Sequence, residues 1–171
     1  MFSAQFRTAE AVRIPISPQA MARLHALDGE DFDPVIRVAE KKLQQVGFPV
    51  ALSAVEAEVG LRQYYAMPII FESQKEMAVS SLVDPYWHAH LLDTRSYRSF
   101  CDRVYGQFMD HVPMDDDDSR DVARVTELYL KTRSMMDTAF GEAVSEKVFP
   151  KVPTREIVIC TYEYEAPARA R

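Results

Sequence analysis

The chain has 171 residues, 47% hydrophobic and 27% charged, which is enough for one sizeable core and short for two domains. Lys plus Arg number 20 and Asp plus Glu 26, so the formal net charge is −6; with no basic patch in view, this argues against broad nucleic-acid binding. Cys101 and Cys160 cannot build a disulfide scaffold, the stretch to Ile16 is broken by Arg7, Glu10 and Arg13 and so does not read as a signal peptide, and no apolar run reaches the ~20 residues of a bilayer span. The expectation is an acidic, cytoplasmic protein with one domain over residues 1–165 and a loose tail over 166–171.

In chain order, Phe2, Ala4, Phe6, Val12, Ile14 and Ile16 alternate partially, as in a short edge strand or extended arm. Ser17-Pro18 then starts a helix that carries Met21, Leu24 and Leu27 and ends at Gly29. After an acidic loop, Asp33-Pro34 repeats the start signal; Val35, Val38, Leu43 and Val46 supply the apolar face, and Gly47 supplies the stop. Ser53 and Glu56 have the spacing of a capping box, opening a helix expected to end before Pro68. Residues 68–80 read as a connector.

Asp84-Pro85 marks a third start of the same kind, and the absence of Gly and Pro from Tyr86 to Tyr105 predicts one continuous helix capped by Gly106. A turn at Val112-Pro113 and the acidic run Asp115–Asp118 precede a long amphipathic helix to about Ala143, with Asp118 or Ser119 as its cap. Glu156–Tyr164, rich in β-branched and aromatic residues, reads as a strand. The predicted fold is mainly α, a bundle of about five helices with a small terminal β element.

One segment stands apart. Val83–Thr94 holds the single Trp and two of the four His, and His111 lies downstream. Imidazole is the commonest transition-metal ligand because its neutral ring offers a lone pair near physiological pH. On a helix, residues two apart point about 200° away from each other, so His88 and His90 face different surroundings. His90 falls on an apolar stripe with Trp87, Tyr97 and Cys101. Asp84 and His88 are i, i+4 neighbours, placed so that the carboxylate orients the imidazole or shares a ligand position with it. His111 joins them only if the chain folds back after Gly106. Against these readings stand ordinary structural roles: Asp84 as an N-cap, Trp87 and His90 as core residues, and the cysteines as buried small hydrophobes.

Val83-Asp84, Trp87-His88, Leu91, Thr94, Tyr97, Cys101, Gly106, His111 and Pro113 together resemble the signature of the glycine-rich-domain-containing-protein-like family. The resemblance is close over residues 81–113 and loose over 53–72. It implies that Asp84, His88 and His111 are the positions that matter, with Tyr97 and Cys101 in support. With five Gly in all, the chain lacks the glycine-rich region that names that family.

Two functions follow as expectations. In the first, Asp84, His88 and His111, with His90 in reserve, bind a divalent transition metal (zinc, iron or manganese) that activates water or binds oxygen for an unidentified small-molecule substrate. In the second, the Trp-His segment is a structural lock in a non-catalytic module, and the acidic surface or the Glu156–Tyr164 strand edge meets a protein partner. A Cys101–His111 hydrolase is disfavoured, because no Lys or Arg shares the Cys101 face to activate a thiolate.

Overall fold

A computed structural model describes residues 6–152 and the backbone of 160–163. The elements run α1 (Thr8–Ala11), α2 (Pro18–Asp28), α3 (Asp33–Gln45), α4 (Ala54–Ile70), β1 (Glu76–Ala78), α5 (Asp84–Leu92), α6 (Thr94–Val104), β2 (Asp110–Pro113), α7 (Ser119–Phe140), a 3-10 turn (Gly141–Ala143) and β3 (Cys160–Glu163). The protein is therefore mainly α, as its apolar periodicity requires.

Helix α4 is the axis of the core. Its side chains are apolar on nearly every face, and from Gly60 to Ile69 every residue is buried, which is the pattern of a helix surrounded by other elements. The capping box forms as expected: the Glu56 amide donates to Ser53 Oγ at 3.3 Å, and the Ser53 amide donates to Glu56 Oε2 at 2.8 Å. Helix α4 does not stop before Pro68 but runs through it to Ile70. Proline removes one helical hydrogen bond, but burial of the segment, with Ile69 fully enclosed, holds the last turn in place. Gly60 is required by a close approach: a Cβ there would lie 2.8 Å from Val83 Cγ2 and 2.9 Å from Val148 Cγ1.

The other departures from expectation have local causes. The N-terminal arm contains the short helix α1, not a strand, because the Asp28 carboxylate accepts hydrogen bonds from the Thr8 and Ala9 amides at 2.6 and 3.0 Å. The expected helix over 86–105 is two helices. Asp93 leaves helical geometry (φ −84°, ψ 70°) and its side chain accepts from the Ser96 amide, so it caps α6. An Asp cap breaks a helix without Gly or Pro, and α6 folds back against α5. Of the two expected caps, Asp118 and Ser119, it is Asp118 that caps α7.

The β element is a three-stranded antiparallel sheet in the order β1-β3-β2. Strand β1 falls inside the expected connector, and β2 replaces the expected turn at Val112-Pro113. Of the predicted strand 156–164, only 160–163 lie among the described residues. They pair on both sides, Met77 opposite Tyr162 on β1 and His111 opposite Tyr162 on β2. Strand β3 is thus the central strand, and its backbone is not the free edge that strand addition by a partner would need. Residues 1–5, most of the predicted strand's flanks, the Cys160 side chain and the tail 166–171 lie outside the described residues.

Candidate functional site

The chain does fold back after Gly106, whose positive φ of 75° suits glycine at this turn. Strand β2 then carries His111 to the side of α5. There the His88 Nδ1–H donates to Asp84 Oδ2 at 2.8 Å, and His88 Nε2 lies 3.2 Å from His111 Nε2. Trp87 packs beside both rings, with centroids 5.9 Å from His88 and 5.1 Å from His111. Asp84 is 3% exposed, whereas both imidazoles are partly open to solvent.

Asp84 is not the helix N-cap. Val83 holds that position without a side-chain hydrogen bond, and the Asp84 carboxylate points along the helix to His88 instead. Asp84 Oδ1 is buried with no hydrogen-bond partner among the described residues. The hydrogen bond to Asp84 raises the His88 pKa above the ordinary imidazole value, against the opposing effect of burial. Burial, then repulsion from His88, lowers that of His111. Of the two rings, His88 is thus the one whose protonated form its surroundings favour, and His111 the one whose neutral form they favour.

His90 does not join this group. It lies on the opposite face of α5, 3% exposed, in contact with Phe32, Tyr65, Tyr97 and Phe100. Its Nδ1 is 2.8 Å from the Tyr65 hydroxyl. With the Tyr65 hydroxyl as donor to Nδ1, the neutral ring carries its proton on Nε2. Burial pushes the His90 pKa down to about 4, so the ring stays neutral. The geometric reason is the one read from the sequence: two helical residues two apart cannot face one point. Nothing in the local sequence links Tyr65 to His90; the available signal is a tyrosine on a deeply buried helix, whose hydroxyl must find a partner.

Cys101 is a buried free thiol, pushed up to about 11 by burial, and so is not an activated nucleophile. Asp115, Asp116 and Asp117 form the one group of three metal-capable residues, among those described, with ligand atoms within 4.8 Å of one another. They are exposed, and the Asp115 amide donates to Asp121 while the Asp117 amide donates to Asp115, as in a solvated turn before α7.

The fold and this cluster define a class: a mainly helical protein with an Asp-His-His array where a short helix meets a three-stranded sheet. The chain belongs to the UCP032817-like family, which it matches over residues 35–134. Neither a curated protein nor a solved structure matches it. The family match overturns the resemblance to glycine-rich-domain-containing proteins. Val83, Trp87, Tyr97 and Cys101, which carried much of that resemblance, are core residues, so their spacing follows from packing one helix pair. No helix among the described residues is long and apolar enough to cross a membrane.

Proposed function

We propose that His88 and His111 form a two-histidine centre for a divalent transition metal (zinc, iron or manganese), with Asp84 as the carboxylate that orients His88. The observation that carries this reading is the 3.2 Å separation of the two Nε2 atoms. Tetrahedral nitrogen ligands at about 2.0–2.1 Å from zinc lie roughly 3.3 Å apart. The ring centroids are 4.9 Å apart, closer than two rings set end to end would allow. A symmetric V with those separations has its apex roughly 2 Å from each nitrogen, a metal–imidazole bond length.

Asp84 accepts the Nδ1 proton, which leaves the His88 Nε2 lone pair for a ligand and stiffens the ring, the usual part played by a carboxylate behind a metal-bound histidine. Two protein ligands leave the other coordination positions to water or a small substrate, the arrangement in which an ion activates water. Its acidic charge sets this protein apart from nucleic-acid binders, and the free buried Cys101 suits a cytoplasmic, reducing compartment.

The test is elemental analysis of tag-free protein after equilibration with zinc, iron or manganese. About one equivalent of metal, lost in both His88→Ala and His111→Ala but retained in His90→Phe, supports the centre. Less than roughly a tenth of an equivalent of every metal refutes it.

One observation favours a second reading. The same 3.2 Å is a hydrogen-bond distance, so Asp84, His88 and His111 can form a proton-linked chain that ties α5 to β2 within a non-catalytic module. In that case His88→Ala lowers the melting temperature of metal-free protein, and no metal stabilises the wild type.

A further inference from the structure

On the opposite face of α5 from His88, a cleft of about 390 Å³ opens between residues 30–42 and the C-terminal half of α5 with the start of α6. That volume falls in the range of small-molecule sites. Phe32, Val35 and Ala89, all buried, supply apolar walls, and His90 lines the cleft where it meets the core. Among the described residues the hydrogen bond made by the His90 ring is that of Nδ1 with Tyr65, so the Nε2–H remains for an acceptor atom entering the cleft.

The wall is built, not incidental. Arg62, fully buried on α4, donates to the Leu27 and Glu30 carbonyls at 2.6 and 2.7 Å, and its guanidinium lies 5.0 Å from the Phe32 ring centre. Phe32 in turn meets the His90 ring edge-on at 5.9 Å. A buried Arg spent on holding a loop fixes the cleft shape before anything binds.

The rim carries a charge preference. Glu30 is neutralised by Arg103, at 2.7 and 2.8 Å. Asp31 and Asp93 each use Oδ1 to cap a backbone amide, of Asp33 and Ser96 respectively, and both are exposed. Two carboxylates thus face one lining cation, Lys42.

We propose that this cleft binds a small organic amine: an apolar body between Phe32, Val35 and Ala89, an acceptor oxygen where present on His90 Nε2–H, and the ammonium at Asp31 and Asp93. The site is separate from the His88–His111 centre and stands or falls independently of it.

The experiment is a titration of the full chain with phenethylamine, and with phenylacetate as its charge-reversed counterpart, followed by amide and imidazole ¹⁵N shifts. Expected are saturable shifts at Phe32, Ala89, Asp93 and the His90 ring with phenethylamine below about 10 mM, and binding of phenylacetate at least about tenfold weaker. Val38→Trp and Leu92→Trp, both at exposed rim positions, should each abolish the shifts without unfolding the protein, and His88→Ala should leave them intact. Shifts that fail to saturate, that are equal for the two probes, or that persist in either rim variant overturn the proposal.

Discussion

His90 sets a measurable dependence of stability on pH. Its pKa falls from 6.5 in the unfolded chain to about 4 in the fold because burial penalises the imidazolium; Glu30 and Asp93 partly offset this, and Arg103 adds slightly to it. Between those values the unfolded chain binds the extra proton and the folded chain does not, so acid favours unfolding. The contribution of His90 is therefore complete above pH 6.5, is lost as pH falls toward 4, and is constant below that. At about 1.4 kcal/mol for each tenfold change in proton affinity, the loss is about 3 kcal/mol. The ring is 3% exposed, so solvent screening takes little from this figure. The assay is urea unfolding at pH 7, 6, 5 and 4 for the metal-free wild type and for His90→Phe. Acidic groups titrate in both proteins and cancel in the difference. The wild type should lose about 3 kcal/mol relative to the variant between pH 7 and 4. Parallel pH profiles would show that His90 is not held neutral, and the aromatic nest around it would need another explanation.

The remaining predictions concern packing and anchoring. Gly60→Val pushes methyl groups into Val83 and Val148 and should lower stability by more than about 2 kcal/mol in chemical denaturation; an unchanged midpoint would mean that α4 and α5 are farther apart than described. Tyr65→Phe removes the hydroxyl bonded to His90 Nδ1 and should cost about 1–3 kcal/mol, with the His90 ring ¹⁵N shifts moving toward the other tautomer. Asp28→Ala frees the Thr8 and Ala9 amides; a loss of about 1 kcal/mol is expected, with faster hydrogen exchange confined to α1.

What could be read in the amino-acid order was whatever depends on neighbours within a few positions. Ser17, Ser53 and Asp118 announce their helices by capping chemistry, and the structure uses each of them so. The opposition of His88 and His90 follows from helical pitch alone. Long-range pairing was the obscure part. Nothing near Glu76–Ala78 or Asp110–Pro113 signals a strand, because each becomes one only when β3 arrives to satisfy its backbone. The break at Asp93 is hidden because no Gly or Pro marks it and only the Ser96 amide reveals the cap, and Pro68 reads as terminal because local propensity does not register the burial of Tyr64–Ile69. In the candidate site, Asp84 and His88 were legible as an i, i+4 pair. The arrival of His111 depended on a turn at Gly106 whose direction no local rule supplies.

Whether His88 and His111 direct their Nε2 atoms at one metal ion is decided by long-range ¹H–¹⁵N spectra of the imidazoles during a zinc titration of metal-free protein. The Nε2 resonances of His88 and His111 should shift together and reach their end point near one equivalent, while those of His90 and His25 stay in place. A response confined to His25, or no response from the His88 and His111 pair at excess zinc, would contradict it and leave the pair as a hydrogen-bonded brace between α5 and β2.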